Sequence, residues 1–534
     1  MQSVSNAPVP GLPDPMTLIV HLVAVIGHGV LLVALAVLAG RAIAYGLRVA
    51  HLRWTWPLLG LVALPLHPPS GWSGFALLIV GFTAVRRGRR WHHRDVATGG
   101  DVARIAASRT GPWHVALGLA RRLAASRSAS VASGGLLVGR DRRHGAVRIP
   151  LAGPHGGSHT LVVGTTGSGK TVTQARIAAG AIDRGLGCIV VDPKGDALLH
   201  DVLQAGAERG GRRFVEWTPA GPSVYNPFAH GSETEIADKV LAGERFTEPH
   251  YQRQAQRYLG HVVRVLRGAG VTVSLASVVR HLDPSALELT ARRLGVDEAQ
   301  PVFDYLDSLT ARQVRDLAGA RDRLAVLAES DAGRWLDPGD GVPTFDLLSM
   351  VRERAVVYLR LESDRRPLLA QMLGAAIVQD LITTVSALQD EPIASLAIID
   401  EFAAVSAGQV ARLFPRARSA GMNIVLGTQE LSDLRLPGHE QLLEQVLGNI
   451  ASLVAHRQVV PESIELIVRL SGSAGGWSAA HRSDGGATRT RVTEPVLDAE
   501  ELRVLPRGVA AVLLTGGRVR IARMLAPDSM RRSA

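Results

Sequence analysis

The chain has 534 residues, 46% of them hydrophobic, with 59 Lys and Arg against 48 Asp and Glu. That length and apolar content exclude a disordered chain and leave room for a membrane anchor and at least two globular units. A single cysteine, Cys188, excludes an internal disulfide and offers no cysteine-based metal site.

In chain order, the first predicted element is a membrane span. Residues 17–39 contain no Asp, Glu, Lys or Arg, and as a helix they reach roughly 35 Å, enough to cross a bilayer. No Lys or Arg precedes them, which argues for a retained anchor over a cleaved signal peptide. Residues 54–85 form a second apolar zone broken by Pro57, Pro65 and residues 66–72. It reads as one irregular span or as two short helices of a re-entrant hairpin. Arg41, Arg48 and Arg53 follow the first zone, and RRGRRWHHR, residues 86–94, follows the second. Basic flanks favour the cytoplasm and place residue 86 onward there. Residues 1–150 hold 17 Arg and 4 Asp, whereas residues 151–534 hold 42 basic and 44 acidic residues. The pI of 10.6 therefore belongs to the juxtamembrane part, where anionic headgroups account for it. The charge alone says little about nucleic acid.

Residues 95–157 read as a linker and the start of a core, with short strands at 136–139 and 146–150. His159 to Val163 reads as a buried strand. It runs into GTTGSGKT, residues 164–171, the full G-x-x-x-x-G-K-[ST] phosphate-binding pattern, and then into a helix to Asp183. Gly164, Thr165, Thr166, Gly167, Ser168, Gly169, Lys170 and Thr171 are the candidate nucleotide-binding residues. Backbone N–H groups of the loop turn towards the phosphates, Lys170 reaches the β- and γ-phosphates, and the Thr171 hydroxyl holds Mg²⁺. Lysine occurs only at 170, 194 and 239, so 56 of the 59 basic residues are arginine. A compact ammonium is thus kept where the phosphate site calls for one.

A second strand, residues 187–192, ends in DPKGD, residues 192–196, at the edge where open parallel sheets bind ligands. Asp192 and Lys194 are candidates for a role near the phosphates or a neighbouring subunit, against a plain turn with a helix cap. Residues 232–340 carry helical periodicity, clearest at 251–268, 286–294 and 314–330. The core resumes at 354–363, expected as a central strand, and a helix at 367–385. LAIIDEF, residues 396–402, is an apolar strand ending in Asp400 and Glu401, the form of a Walker B element. Asp400 would hold the Mg²⁺ shell and Glu401 would polarise the attacking water. Arg416 and Arg418 sit near a helix end, and residues 422–429 form a strand ending at Gln429. A polar residue there can sense the γ-phosphate, and an arginine at a subunit face can act in a neighbour's site. A helix ends at 465–470, residues 471–494 read as a mobile Gly/Ser/Arg-rich loop, and residues 510–524 read as a hairpin around Gly516-Gly517.

The ordered set GTTGSGKT, VVDPKGD, YNPF (residues 225–228), an inserted helical segment, IIDEF and RARSAGMNIVLGTQ (residues 416–429) behind a membrane anchor resembles the type IV coupling proteins, the VirD4/TraG/TraD-type conjugation ATPases. The likeness spans about residues 155–525. It implies an α/β, RecA-like P-loop NTPase core with an inserted all-α domain and an N-terminal transmembrane anchor. Domain bounds are then 1–94 for the anchor, 95–157 for the linker and start of the core, 158–231 with 341–526 for the nucleotide-binding domain, 232–340 for the helical insertion and 527–534 for a short basic tail. The resemblance implies a homo-hexameric ATPase of the bacterial inner membrane, its ATPase domain in the cytoplasm. It would use ATP and Mg²⁺ to move single-stranded DNA with its relaxase towards a secretion channel. By position it makes Asp400 and Glu401 the Walker B pair, Arg418 the arginine finger and Gln429 the motif III glutamine. Asn449 sits where the family often has an asparagine. Residues 524–534, MLAPDSMRRSA, are short and basic, so docking of the DNA-processing complex through an acidic tail, as in some relatives, is not the expectation here.

Three alternatives stay open at this point: a duplex-DNA pump of the FtsK/HerA type, a protein-secretion ATPase, and a non-hydrolysing membrane receptor. The helical insertion disfavours the first, and an intact Glu401 and Gln429 disfavour the last.

Overall fold

The computed structural model describes residues 15–49, 55–58, 72–97, 135–142, 144–153, 156–244, 248–339, 342–435, 440–481, 487–515 and 518–527. The chain divides into two compact units, Met1–Ser133 with Gly476–Val492, and Gly134–Gly475 with Thr493–Ala534.

In the first unit, α1 (Pro15–Val49) packs against α2 (Trp72–Ala97). Small residues make the contact: Ala36, Gly40, Ala44 and Ala84 are buried. A Cβ at Gly40 would collide with Thr83 Oγ1 and the Val80 carbonyl. Elsewhere α1 exposes large apolar side chains along its length, among them Leu18, Ile19, Leu22 and Leu31, a surface suited to lipid. The helix extends past the 17–39 expectation at both ends. The second apolar zone contributes one continuous helix from residue 72 that takes in the basic stretch 86–94; residues 59–71 lie outside the described residues.

The second unit is built on one sheet. In chain order its elements are β1 (Gly135–Asp141), β2 (Ala146–Pro150), β3 (His159–Val163), α3 (Lys170–Asp183), β4 (Gly187–Asp192), α4 (Ala197–Arg209), β5 (Phe214–Trp217) and β6 (Val224–Tyr225). A helical run follows: α5 (Glu233–Leu241), α6 (Pro249–Gly268), α7 (Leu275–His281), α8 (Pro284–Ala291), α9 (Val296–Asp307) and α10 (Ala311–Ala328). Then come β7 (Thr344–Phe345), α11 (Leu347–Arg352), β8 (Val356–Arg360), α12 (Pro367–Ala387), β9 (Ser395–Ile399), α13 (Phe402–Ser419), β10 (Met422–Thr428), α14 (Leu442–Asn449), β11 (Ser452–Ala455) and α15 (Pro461–Leu470). β12 (Ser473–His481) and β13 (Ala487–Pro495) fall mostly in the first unit, and the second unit closes with α16 (Ala499–Arg503), β14 (Val509–Leu514) and β15 (Arg518–Met524).

The sheet has 11 strands in the order β2-β1-β15-β14-β11-β3-β10-β9-β4-β8-β5. The strands from β11 to β5 run parallel, and β14, β15, β1 and β2 add an antiparallel flank. Every residue of β3, β4, β9 and β10 is buried, as expected where both faces are covered. Alternate residues supply the two faces: Ile189 and Val191 pack with Leu373, Ile377 and Phe414, whereas Cys188 and Val190 pack with Ile177, Leu199 and Leu203. Burial pushes the Cys188 thiol up to about 12, so it stays a protonated core residue.

Two expectations are corrected. The strand at 354–363 is β8, second from the sheet edge; its helix-covered faces give it the apolar run of a central strand. The expected mobile loop at 471–494 contains two strands, β12 and β13, paired with each other. Gly and Ser there masked the alternation of Thr488, Thr490 and Val492 that favours a strand.

The helical run leaves and rejoins the core at one place. β6 pairs in parallel with β7, and the Tyr225 and Phe345 rings stack 5.3 Å apart. Beneath them lies a buried polar cluster. Lys239 Nζ donates to Asp380 Oδ1 (2.7 Å), the Pro227 carbonyl (2.8 Å) and the His230 carbonyl (2.7 Å). Tyr225 donates its hydroxyl to Asp380 Oδ2 at 2.7 Å. His230 lies 3.3 Å from both Asp346 and Asp380. Burial alone would pull the imidazole down, but hydrogen bonds to the two carboxylates raise it to about 9.

Removing one partner of a fully buried pair leaves an uncompensated charge. Asp380→Ala should therefore cost about 3–5 kcal/mol, read by urea denaturation of the full chain in detergent; no loss would show the pair to be idle. The His230 contribution has a definite sign. Its folded value lies above the ordinary 6.5, so the stabilisation is complete below pH 6.5 and is lost as pH rises through about 9. His230→Gln should flatten that part of the stability–pH curve.

Candidate phosphate site at the carboxyl edge of the sheet

After Val163 the chain turns out of the sheet through the glycine loop. The Gly164 N–H donates to the Thr428 carbonyl at 3.2 Å, tying the loop to the end of β10. Gly167 and Gly169 have φ of +76° and +114°, a region that side chains disfavour. A Cβ on Gly169 would come within 3.1 Å of the Gly508 backbone, and the Gly508 N–H donates to the Ser168 carbonyl at 2.9 Å. The loop is thus wedged between the strand ends and a segment more than 300 residues away in the chain. Thr165 is anchored through its N–H to the Arg457 carbonyl at 3.2 Å; Thr166 is exposed.

Helix α3 starts at Lys170 with Gly169 as its N-cap and no side-chain cap. Its first N–H groups therefore have no side-chain acceptor, the condition under which a helix start takes an anion. Lys170 is buried, with Nζ 3.2 Å from Asp400 Oδ1 and 3.6 Å from Glu401 Oε1. Lys170 Nζ and Ser168 Oγ are buried with no hydrogen-bond partner. A phosphate oxygen would satisfy both, so the donor set fits that group.

Asp400 follows directly on β9, beside Gly427 of β10. Gln174 Nε2 donates to Asp400 Oδ1 at 2.8 Å. A Cβ on Gly427 would collide with both of those side-chain atoms. Glu401 has φ +43° and ψ +40°, a left-handed setting that costs a non-glycine residue of order 1 kcal/mol or more and gathers at functional sites. Lys194 Nζ at 2.7 Å and Gln429 Nε2 at 3.0 Å donate to Glu401 Oε1. Burial would raise the Glu401 carboxyl, but the Lys194 hydrogen bond and the charges of Lys170 and Lys194 hold it below the usual range. Among the described residues no cluster of three or more His, Cys, Asp or Glu could cage a metal. Mg²⁺ beside phosphate needs only one or two protein oxygens, and Asp400 with Thr171, half-buried on the first turn of α3, would supply them.

The loop residues, Asp400, Glu401 and Gln429 are brought together; Arg418, Arg416 and Asn449 are not. Arg418 is exposed at the end of α13, where its carbonyl accepts from Gly157 N–H at 2.8 Å. That is the amino edge of the sheet, the length of β3 away from its own glycine loop, about 16 Å. Within one chain it does not meet the site. Arg416 is bound to Ser386 at 2.9 Å, and Asn449 donates to the Gln445 carbonyl of its own helix. Asp192 has the plain role: its carboxylate accepts the N–H groups of Lys194, Gly195 and Asp196 at 2.7–2.9 Å and the Tyr358 hydroxyl at 2.9 Å.

Other residues lacked a sequence signal. Thr173 Oγ1 meets His456 Nε2 at 2.9 Å, and burial pulls that imidazole down to about 4, so a neutral ring underlies the loop. His456 and Gly508 come from distant segments. Gln174 could have been found, since it lies one helical turn after Lys170 and shares its face.

Residues 143–474, more than half of the chain, match the family described as type IV secretion-system coupling protein DNA-binding domain. The chain belongs to this family. It is 30% identical over 133 residues to the type 4 coupling protein DotL of Legionella pneumophila, a match covering 21% of this chain and 16% of DotL. That curated relative is thus matched over about a sixth of its length. In fold, the coupling protein resembles the unbound monoclinic form of the bacterial conjugative coupling protein TrwBdeltaN70, with TM-score 0.55, 18% identity, and 75% of this chain and 90% of that one covered. It also resembles plasmid coupling protein TrwB in complex with ADP and Mg²⁺, with TM-score 0.50, 20% identity, and 70% and 86% covered. These likenesses confirm the α/β P-loop NTPase fold.

The closeness at Gly427 makes a direct test of the site's packing. Gly427→Ala should destabilise the fold by about 1–3 kcal/mol through overpacking against Asp400 and Gln174, measured by chemical denaturation. An unchanged midpoint would mean that the two side chains move aside freely.

Proposed function

We propose that this coupling protein is a membrane-anchored ATPase that couples hydrolysis to movement of DNA, single-stranded and with a bound relaxase, into a type IV secretion channel. One observation carries the reading. The P-loop ammonium, the Walker B carboxylates and Gln429 converge at the carboxyl edge of one sheet, with Lys170 Nζ 3.2 Å from Asp400 and Gln429 3.0 Å from Glu401. The printed description of the family as DNA-binding and the ADP and Mg²⁺ bound by the TrwB neighbour support it.

In this reading the loop N–H groups and the start of α3 hold the phosphates, and Lys170 moves from the carboxylates onto their outer oxygens. Thr171 and Asp400 would hold Mg²⁺, which would neutralise phosphate charge. Glu401 takes a proton from the attacking water, and Gln429 couples that carboxylate to the end of β10. Arg418, remote from its own loop, acts in the site of an adjacent subunit of a homo-hexamer. The apolar α1 holds the assembly at the bacterial inner membrane, with the ATPase part in the cytoplasm.

ATP hydrolysis by the full chain in lipid nanodiscs should rise with single-stranded DNA, and Lys170→Ala should lower it by about two orders of magnitude or more. Stimulation by duplex alone would replace this reading with a duplex pump, and indifference to DNA would replace it with protein secretion. Mixing inactive Lys170→Ala subunits with inactive Arg418→Ala subunits should restore part of the activity, because an intact loop then faces an intact arginine. No recovery at any ratio would remove Arg418 from the site.

A further inference from the structure

The sequence marks Lys194 as a candidate for a role near the phosphates or a neighbouring subunit, and the activity derived above does not use it. Three observations give it one. First, the side chain springs from a braced turn. Asp192 takes three successive N–H groups, and the Ser363 N–H donates to the Pro193 carbonyl at 2.7 Å. Gly195, at φ +84°, leaves no room for a Cβ against Arg360. Secondly, Lys194 makes a 2.7 Å ion pair with Glu401, the residue held in a left-handed backbone setting. Thirdly, Lys170, Lys194 and Gln429 all approach the same oxygen, Oε1.

Resting on the ATPase reading, we infer that Lys194 is a positioning residue: from its braced turn it pins Oε1 of Glu401, so that Oε2 is presented to the attacking water. Lys170 cannot serve this purpose during turnover, because the phosphates claim its ammonium. Gln429 alone is a neutral donor, and hydrogen bonds to charged groups hold more strongly when both partners are charged. Lys194 therefore keeps the carboxylate compensated and oriented at the moment when polyanionic phosphate lies next to it. Its side chain is 44% exposed, so a guanidinium has room to take its place.

The test uses the full chain in nanodiscs and three variants, Lys194→Ala, Lys194→Arg and Glu401→Gln. Lys194→Ala should lower kcat on the order of tenfold to a hundredfold, while the Kd for a fluorescent ATP analogue changes less than about threefold. Lys194→Arg should regain a third or more of the wild-type kcat. In thermal unfolding without nucleotide, Lys194→Ala and Glu401→Gln should be non-additive, because each removes the same pair. A Lys194→Ala enzyme with wild-type kcat overturns the inference, as does a loss confined to Kd or an arginine variant no better than alanine. Absence of hydrolysis by the wild type itself would end the ATPase reading and this inference together. That outcome is told apart because the wild type and Lys194→Ala are then equally inactive, whereas failure of Lys194 alone leaves both equally active.

Discussion

The carboxyl edge of the sheet depends on charge compensation between two lysines and two carboxylates. Asp400 and Glu401 are adjacent carboxylates in a half-buried position, where like charges side by side repel. Lys170 at 3.2 Å from one and Lys194 at 2.7 Å from the other make the arrangement tolerable. The parallel registers of β3, β10, β9 and β4 then place these groups within reach, because strands aligned in the same direction end at the same level. A phosphate entering the loop competes directly for Lys170. In the proposed mechanism nucleotide binding thus redistributes charge at the very residues that would activate water.

The helical run is attached to this core through a second, drier cluster. Lys239, on α5, spends all three ammonium protons on Asp380, of α12, and on two carbonyls of the connecting loop. Helix α12 also packs against α13, the helix that Glu401 begins. A buried ion pair adds little net stability but fixes one geometry, since any other leaves a charge stranded. The YNPF segment is thus a joint: Tyr225 and Asn226 bond Asp380 and the Val273 carbonyl and set where the helices leave the sheet.

Local patterns revealed much of this. The glycine loop, the strands ending at Asp192 and near Asp400, the hairpin at 509–524 and the helices at 249–268 and 311–328 all announce themselves through periodicity or turn residues. What escaped was set by distance in the chain. Gly508 braces the loop from more than 300 residues away, and His456 reaches Thr173 only because β11 lies next to β3. The two strands at 473–495 escaped because their glycines and serines resemble a linker. Arg418 is legible as a residue type, yet its place at the opposite edge of the sheet is a consequence of topology.

The lysine count ties these threads together. In a chain that writes almost every basic residue as arginine, Lys170, Lys194 and Lys239 each stand within 3.2 Å of a carboxylate, namely Asp400, Glu401 and Asp380. A guanidinium is planar and spreads its charge over a fork, whereas an ammonium is a point with three freely turning donors. Lys239 sits fully buried among a carboxylate and two carbonyls arranged around one atom, a cage that a planar fork cannot fill. In the proposed mechanism Lys170 passes between carboxylates and phosphate, without carrying a rigid plane through a buried loop. Lys194 is the exposed member of the three, so cage shape does not demand lysine there. What Glu401 takes from it is positive charge at Oε1, which either cation can supply.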